Sequence, residues 1–374
     1  MIQVELVSGQ QGLAALRTEW DGLFDSLPRR THAQSHAWAV QQIRCLEPDA
    51  AGVRVAVARE AGVTIAIAPL VACHRTHGLF ELARWSLLWH PHSTLSPLLL
   101  APPAPAGGVM REIVRALRQE AGGCDQLLLP SMIDDGSCAG LSELLAQPLV
   151  TAQVAHPSMG FDTHAPDSAL AASSPHFRQN LARQRRRLHG MGAVEFFVAK
   201  GAAAARTAYA EFLDVEASGW KGEGGTSSAI SLHPNLRQFY AGLIDSLQGR
   251  QEVWIALLRL DGRAVAANFC VRTDGTLALL KIGYDESLRQ AAPGNVLLAM
   301  LLDACEHDPA ISHVSLVTGP AWAERWRPRV IAVRRMAVCA PTLRGRLIHV
   351  AANLKHAAGR ARGSGRLRAD RSRA

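Results

Sequence analysis

Two stretches of this chain carry the same order of elements, about 200 residues apart, and that order limits the fold more than any other feature. In the second half a helical stretch, Leu236 to Leu247, precedes VWIALLRLDGRAVAANFCVRT, two strands joined at Asp261-Gly262. An Asp-Gly pair between apolar runs is a hairpin signal. The strand TLALLKIGYD follows, then a polar loop, the helix NVLLAMLLDAC and the strand HVSLVTG. In the first half the helix LRTEWDGLFDSL precedes VRVAVAREAGVTIAIAPLVAC, turned at Glu60-Ala61-Gly62. The strand ARWSLLWH, a Pro/Gly-rich loop, the helix VMREIVRAL and the strand QLLLP complete that copy. Val53 and Val253 open equivalent strands, and duplication of one unit is the economical explanation. The hairpins exclude a purely parallel, doubly wound sheet. The expected class is α/β (α+β), with a mixed, mostly antiparallel sheet flanked by helices in each half.

A chain of 374 residues suits two domains, expected at 1–155 and 156–342, with a tail over 343–374. The boundary is expected between Gln153 and Pro175, where AHPSMGFDTHAPDSALAASSPH has no clear periodicity. Next comes HFRQNLARQRRRLHGMG, a basic helix with a Ser173-Ser174-Pro175 start and a stop at Gly190. From Leu343 onward nine Lys or Arg face one Asp, so the tail carries the whole net charge of +8 and the rest is near neutral. Its Gly/Ser/Arg-rich end is expected to be disordered. It can contact RNA, an anionic membrane or an acidic partner, or simply solubilise the chain. No apolar run approaches the roughly 20 residues needed to cross a bilayer. The start MIQVELVSGQQ has no basic end or cleavage site, and the seven cysteines include no C-x-x-C pair. A cytoplasmic protein with reduced thiols and no metal site is expected, peripheral to the inner membrane face at most.

The chemistry concentrates in the second half. Pro293-Gly294-Asn295 opens an apolar helix directly after a strand and a polar loop. A helix N-terminus offers unpaired N–H groups and a positive dipole end, Gly294 lets a ligand approach the backbone, and Pro293 suits the first turn. The pattern fits a pyrophosphate-bearing donor such as coenzyme A, and equally an ordinary Pro-Gly turn. The segment EFLDVEASGWKGEGGT runs from a helix into a Gly-rich loop. There Glu216 is a candidate general base, Trp220 a flat face for a pantetheine arm or a sugar, and Lys221 a point charge for phosphate. Each also has a plain structural use, as a surface carboxylate, a core ring and a solvated lysine. Tyr284 and Asp285 end the strand that feeds the donor loop, where Tyr284 can protonate a leaving thiolate. Asn268 and Lys281, on adjacent strands, can orient an acceptor if they share a face. Arg178, Arg183, Arg185, Arg186 and Arg187 form either a phosphate clamp or a solvated helix face. His90-Pro91-His92 lacks the acidic or thiol companions of a metal site.

The runs SPHFRQNLARQRRRLHGMGAVEF, EASGWKGEGGTS and ALLKIGYDESLRQAAPGNVLL, in that order, resemble the CelD/BioF2-like acetyltransferases. These belong to the GNAT superfamily and are related to the Fem-type aminoacyl transferases. SHAWAVQQI and CDQLLLPSM look like the same family, so the resemblance covers roughly residues 1 to 340. It implies two tandem GNAT-like domains, the second catalytic. It also implies transfer of an acyl group, acetyl from acetyl-CoA or another acyl-CoA, to the amine or hydroxyl of a small molecule or glycan in envelope or exopolysaccharide biosynthesis. The donor pyrophosphate would then sit at Pro293, Gly294 and Asn295, with Arg187 beside it. Two departures stand out. The resemblance leads one to expect an acidic residue and glycine, then a Tyr-Lys pair before a Trp; the chain has Thr318-Gly319-Pro320, and Ala323-Glu324 before Trp326. The first half has Ala106-Gly107-Gly108 where the second has Pro-Gly-Asn, as expected of a degenerate, non-catalytic copy. Two other functions stay open. One is an aminoacyl-tRNA-dependent Fem-like transferase, drawing on the Arg178–Arg187 helix and the basic tail. The other is a non-catalytic RNA- or membrane-binding assembly protein on the same scaffold.

Overall fold

The computed structural model describes residues 1–355 apart from 48, 74, 78–79, 137, 139 and 166–169. The first half runs β1 (Ile2–Ser8), α1 (Gly9–Ala15), α2 (Arg17–Ser26), α3 (His36–Leu46) and the hairpin β2 (Arg54–Glu60) and β3 (Val63–Ala72). Then come the small hairpin β4 (Arg75–His77) and β5 (Phe80–Leu82), β6 (Arg84–Leu87), β7 (Leu99–Leu100) and α4 (Ala106–Leu117). β8 (Gln126–Ile133), α5 (Leu141–Leu145) and β9 (Val150–Asp162) close it. The second half runs α6 (Pro175–His189), β10 (Val194–Lys200), α7 (Ala202–Ala217), α8 (Pro234–Ser246), β11 (Gln251–Leu260), β12 (Arg263–Thr273) and β13 (Thr276–Tyr284). α9 (Pro293–Glu306), β14 (His313–Ser315) and β15 (Arg329–Cys339) follow. A last helix occupies 343–355.

One sheet carries both copies, in the order β1-β2-β3-β6-β8-β15-β9-β14-β13-β12-β11-β10. Read inward from either edge, the arrangement is the same. An edge strand and a hairpin lead to a strand that pairs parallel with the next, β6 with β8 and β13 with β14. The copies meet by exchange. β9 follows the first half in sequence but pairs with β14, whereas β15 follows the second half and pairs with β8. β9 and β15 then pair antiparallel to each other along the seam. The expected boundary at 155/156 therefore falls inside a 13-residue strand. The segment 155–162 passes from an exposed start at Ala155 to a continuous buried run over Ser158–Phe161, so it shows no regular alternation.

The duplication extends to side chains. Both hairpins turn on two positive-φ residues, Ala61-Gly62 and Asp261-Gly262, the backbone whose twist suits the flanking strands. Both carry a register shift at the same place, before Arg59 and before Arg259. Each of those arginines grips a helix carboxylate with two hydrogen bonds, Glu19 at 2.7 and 2.7 Å and Glu211 at 2.9 and 2.7 Å.

Helices cover both faces. On one, α7 and α8 pack on the second-half strands around Phe212, Phe239, Tyr240 and Phe269, and Trp38 of α3 joins them edge-on to Phe239 at 5.5 Å. On the other, α6 and α9 cover Leu258, Cys270, Leu277 and Leu279. The expected basic helix is α6, with the Ser174 hydroxyl accepting from Phe177 N–H and Gly190 at its end. All seven cysteines are outside disulfides. The tail differs from the expectation of disorder from Leu343 onward: 343–355 is helical, held at its start by an Arg344–Asp125 ion pair of 3.2 Å, and 356–374 lies outside the described residues. Among the described residues no helix is long and apolar enough to cross a membrane.

Candidate active site

The ladder between β13 and β14 ends after three pairs, at Ala278 with Ser315. Beyond that point β14 gives way to a chain that hydrogen-bonds towards β9, Leu316 N–H to the Met159 carbonyl. β13 continues from Leu279 to Tyr284 paired with β12 but no longer with β14, so the sheet splits on that side. A cavity of about 250 Å³ opens beside the split, on the α9 side. Tyr284, Asn268 and Ile282 line it from the strands, and Gly294 and Asn295 from the first turn of α9.

That turn is built for close approach. Ala292, at φ 46, precedes Pro293, which has no N–H. Asn295 and Val296 both donate to the Ala292 carbonyl, so the Gly294 N–H is without a partner among the described residues. A Cβ on Gly294 would meet only the Tyr284 ring, at 3.6 Å, so the glycine leaves the cavity mouth wide. Two arginines that the sequence did not single out, Arg289 and Arg325, line the same cavity with Trp322. Arg289 lies in the polar loop just before Pro293, which could have flagged it. Arg325 and Trp322 come from the altered stretch before Trp326, and only the fold brings them here. Trp326 itself is fully buried, edge-on to Phe177 at 5.0 Å. Arg187 reaches the same loop and donates to the Gln290 side chain at 2.5 Å. Arg178 and Arg185 instead line a separate groove between α6 and α9.

The equivalent helix start in the first half is closed. There the N–H groups of Ala106 and Gly107 donate to the Glu143 carboxylate, at 2.9 and 3.1 Å. One copy fills its anion-binding helix end with its own side chain, and the other leaves it facing a cavity with two arginines.

The remaining sequence candidates fall into two groups. Asp285 is buried; its carboxylate takes the Ser287 N–H and hydroxyl on one oxygen and Arg263 on the other, at 2.6 Å. Burial pushes its pKa up, but the bonds from Ser287 and Arg263 outweigh that and hold it below the usual range. Asp285 thus pins the loop that leads to α9. Glu216 is 2% exposed and both its oxygens are taken, by Lys221 Nζ at 3.0 Å and by the Ile230 N–H at 2.7 Å. Lys221 also donates to the Ile282 carbonyl at 2.7 Å. This ties the Gly-rich loop to the part of β13 that has left β14. Gly283 makes the contact possible, since a Cβ there would lie 2.7 Å from the Glu216 Cα. Trp220 stays 54% exposed, with the Lys221 ammonium 5.7 Å from its ring centroid.

Asn268 and Lys281 do not share a face. Asn268 lies opposite Ile282 and Lys281 opposite Phe269, so they alternate to opposite sides of the sheet. Asn268 lines the cavity, and Lys281 points with Phe269 towards the α7 and α8 side. Burial brings the Lys281 pKa down to about 8, with the Lys221 charge adding to the shift and Glu216 opposing it. His90 and His92 sit near it. The His92 Nδ1 meets the Tyr240 hydroxyl at 3.0 Å, and burial first, then the Lys281 charge, lowers its pKa to about 3. Among the described residues no group of three or more His, Cys, Asp or Glu is placed to hold a metal.

The second half thus holds a parallel pair that splits beside a helix start facing a cavity. Residues 175–327 match the acetyltransferase (GNAT) domain. No curated protein matches the chain in sequence. Among solved structures, FemX superposes with a TM-score of 0.54 at 11% identity, over 92% of this chain and 100% of that one. The C-terminal domain of a putative lysylphosphatidylglycerol synthetase from Agrobacterium fabrum gives 0.53 at 12%, over 91% and 97%. A conserved protein of unknown function from Bacteroides thetaiotaomicron gives 0.56 at 13%, over 91% and 100%. At these identities the likeness is one of fold. Residues 175–327 thus resemble a GNAT acetyltransferase domain, within a mixed α/β fold shared with these structures over nearly the full length of the chain.

Proposed function

We propose that this chain is an acyl-CoA-dependent N- or O-acyltransferase, with acetyl-CoA as the simplest donor and an acceptor from envelope or exopolysaccharide biosynthesis, as the CelD/BioF2-like resemblance implies. The observation that carries the reading is the contrast between the two copies. Glu143 fills the helix start of the first, whereas that of the second opens on a cavity lined by Arg289 and Arg325. A pyrophosphate fits such a site, because the helix dipole, a spare N–H and two guanidinium groups all favour an anion. On this reading the first half, 1–155, is a structural partner and the catalytic unit lies in 156–342. The pantetheine arm follows the part of β13 that has left β14, beside Asn268. The acceptor nitrogen or oxygen attacks the thioester carbonyl carbon. The new bond forms, the C–S bond breaks, the thiolate takes a proton from Tyr284, and the acceptor proton passes to water. Glu216 holds Lys221 in place, Asp285 fixes the loop before α9, and Trp220 offers its exposed face to the acceptor.

The test is acetyl-CoA binding by calorimetry. Wild type and Gly294→Ala should bind in the micromolar range, whereas Gly294→Trp, which fills the cavity without crowding backbone, should not. No binding by wild type would sink the coenzyme A reading and make aminoacyl-tRNA the next donor to try, as the Fem-like fold suggests. A second contact is favoured by the helix over 343–355. Leu343, Leu347, Val350 and Leu354 lie on one stripe and are 82%, 70%, 53% and 66% exposed. They are flanked by Arg344, Arg346 and Lys355, with six more arginines in the sequence beyond. An apolar stripe bordered by cations suits the surface of an anionic bilayer.

A further inference from the structure

The face of β13 opposite the donor cavity gathers basic side chains, of which the Lys281 ammonium is left without an ion-pair partner among the described residues. Five basic side chains converge there from four parts of the sequence: Lys281 on β13, Lys221 in the loop after α7, His233 just before α8, and His90 with His92 between β6 and β7. Lys281 pairs across the ladder with Phe269, whose ring lies 5.0 Å from that of Tyr240; the Tyr240 hydroxyl meets His92 at 3.0 Å, and Lys221 donates to the carbonyl of Ile282, next to Lys281. Lys281, Lys221, His90 and His233 also act electrostatically on His92. Lys281 likewise bears on His90. The carboxylate that acts on Lys281 is Glu216, and its two oxygens are already spent on Lys221 and on the Ile230 N–H. The Lys281 ammonium has no hydrogen-bond or ion-pair partner among the described residues. This half-buried ammonium lies beside a second lysine, with its one carboxylate committed elsewhere, so an anion arriving there gains a charge-assisted partner.

The position matters as much as the charge. Lys281 is followed directly by Ile282, Gly283 and Tyr284, which line the donor cavity from the other side. In this stretch β13 has already left β14. His92 arrives from the other copy, fixed by its bond to the Tyr240 hydroxyl. The site is therefore completed by both halves of the chain, which gives the non-catalytic copy a part in recognition.

We propose that Lys281, Lys221 and His92 form a receiving site for an anionic group of the acceptor, a carboxylate or a phosphate, on the face of β13 opposite the donor. This deepens the acyltransferase reading and rests on it. The ammonium groups pair with the anion, and His92 adds a ring N–H. The nucleophile of the same acceptor then lies beside the split, within reach of the thioester.

The experiment uses the full chain carrying Gly294→Trp, so that the donor cavity cannot take the probe. Inorganic phosphate and, separately, acetate are titrated while the histidine ring nitrogens are followed by NMR. The rings of His90 and His92 should shift with saturation. Lys281→Met should weaken binding about tenfold or more, as expected for losing a charge-assisted bond, and Lys281→Arg should keep most of it. His92→Gln, from a different element and the other half, gives a second reading if Lys281→Met proves unstable; it should weaken binding about threefold. Tighter phosphate points to a phosphorylated acceptor, and tighter acetate to a carboxylate. Unmoved histidine rings, or equal affinities in the parent, Lys281→Met and His92→Gln, would overturn the proposal. Failure of the donor reading shows separately: wild type would not bind acetyl-CoA while phosphate still moved the His92 ring.

Discussion

Replacing Glu216 by glutamine tests whether this carboxylate holds the site together or takes a proton. In the fold it is buried at 2% exposure between the Lys221 ammonium and the Ile230 N–H, both donors. Glutamine has the same shape but only one acceptor oxygen, so its NH₂ must face one of those donors. Breaking a buried ion pair by removing one partner costs about 3–5 kcal/mol when the other is left buried and unpaired. Lys221 is 15% exposed and keeps the Ile282 carbonyl, so the cost falls below that range, at about 2–3 kcal/mol. Lys221→Met should cost less, about 1–2 kcal/mol, because the carboxylate retains the Ile230 N–H and the nearby Lys281 charge. In the double variant the orphaned ammonium is gone, and about 1–2 kcal/mol should be recovered relative to the sum of the singles. Urea unfolding followed by tryptophan fluorescence measures all four proteins. A Glu216→Gln protein within about 0.5 kcal/mol of wild type, or strictly additive singles, would refute the holding role. A loss of turnover at unchanged stability would instead restore the general-base reading made from the sequence.

Two further outcomes follow from the same geometry. His32 is fully buried, bonded to the Ser93 carbonyl at 3.0 Å, and burial lowers its pKa from 6.5 to about 4. Above pH 6.5 both folded and unfolded chains hold it neutral. As pH falls below that, only the unfolded chain takes the proton, so stability should drop by about 2 kcal/mol between pH 7.5 and 5. Urea titrations at both pH values should show a smaller drop in His32→Gln; an equal drop would assign the acid sensitivity elsewhere. The helix over 343–355 should carry the chain onto phosphatidylglycerol vesicles but not phosphatidylcholine vesicles, in a flotation assay. Truncation after residue 342, or Leu347→Glu with Leu354→Glu, should abolish it, and binding that survives truncation would end the membrane reading.

Much of the fold could be read along the chain because its signals are local. The Asp261-Gly262 and Ala61-Gly62 turns, the alternation around them, and the Ser174 cap and Gly190 stop of α6 each depend on a few neighbouring residues. So does the Pro-Gly start of α9, which located the donor loop. The repeat was visible because both copies keep these same local marks. What lay beyond the sequence is what depends on residues far apart. The exchange of β9 and β15 across the seam leaves no mark on either strand, since its partners lie more than 100 residues away. The face that Lys281 takes relative to Asn268 was set by the cross-strand register, in which a shift of one residue reverses every side chain. Glu143 sealing the first helix start, Glu216 binding Lys221, and His92 meeting Tyr240 from the other half are contacts that only the closed sheet creates. The sequence by itself determined the elements and where the donor loop starts. The tertiary structure decided which groups are spent on one another and which are left for a ligand, because hydrogen-bond and charge pairing depend on distances the chain order does not carry.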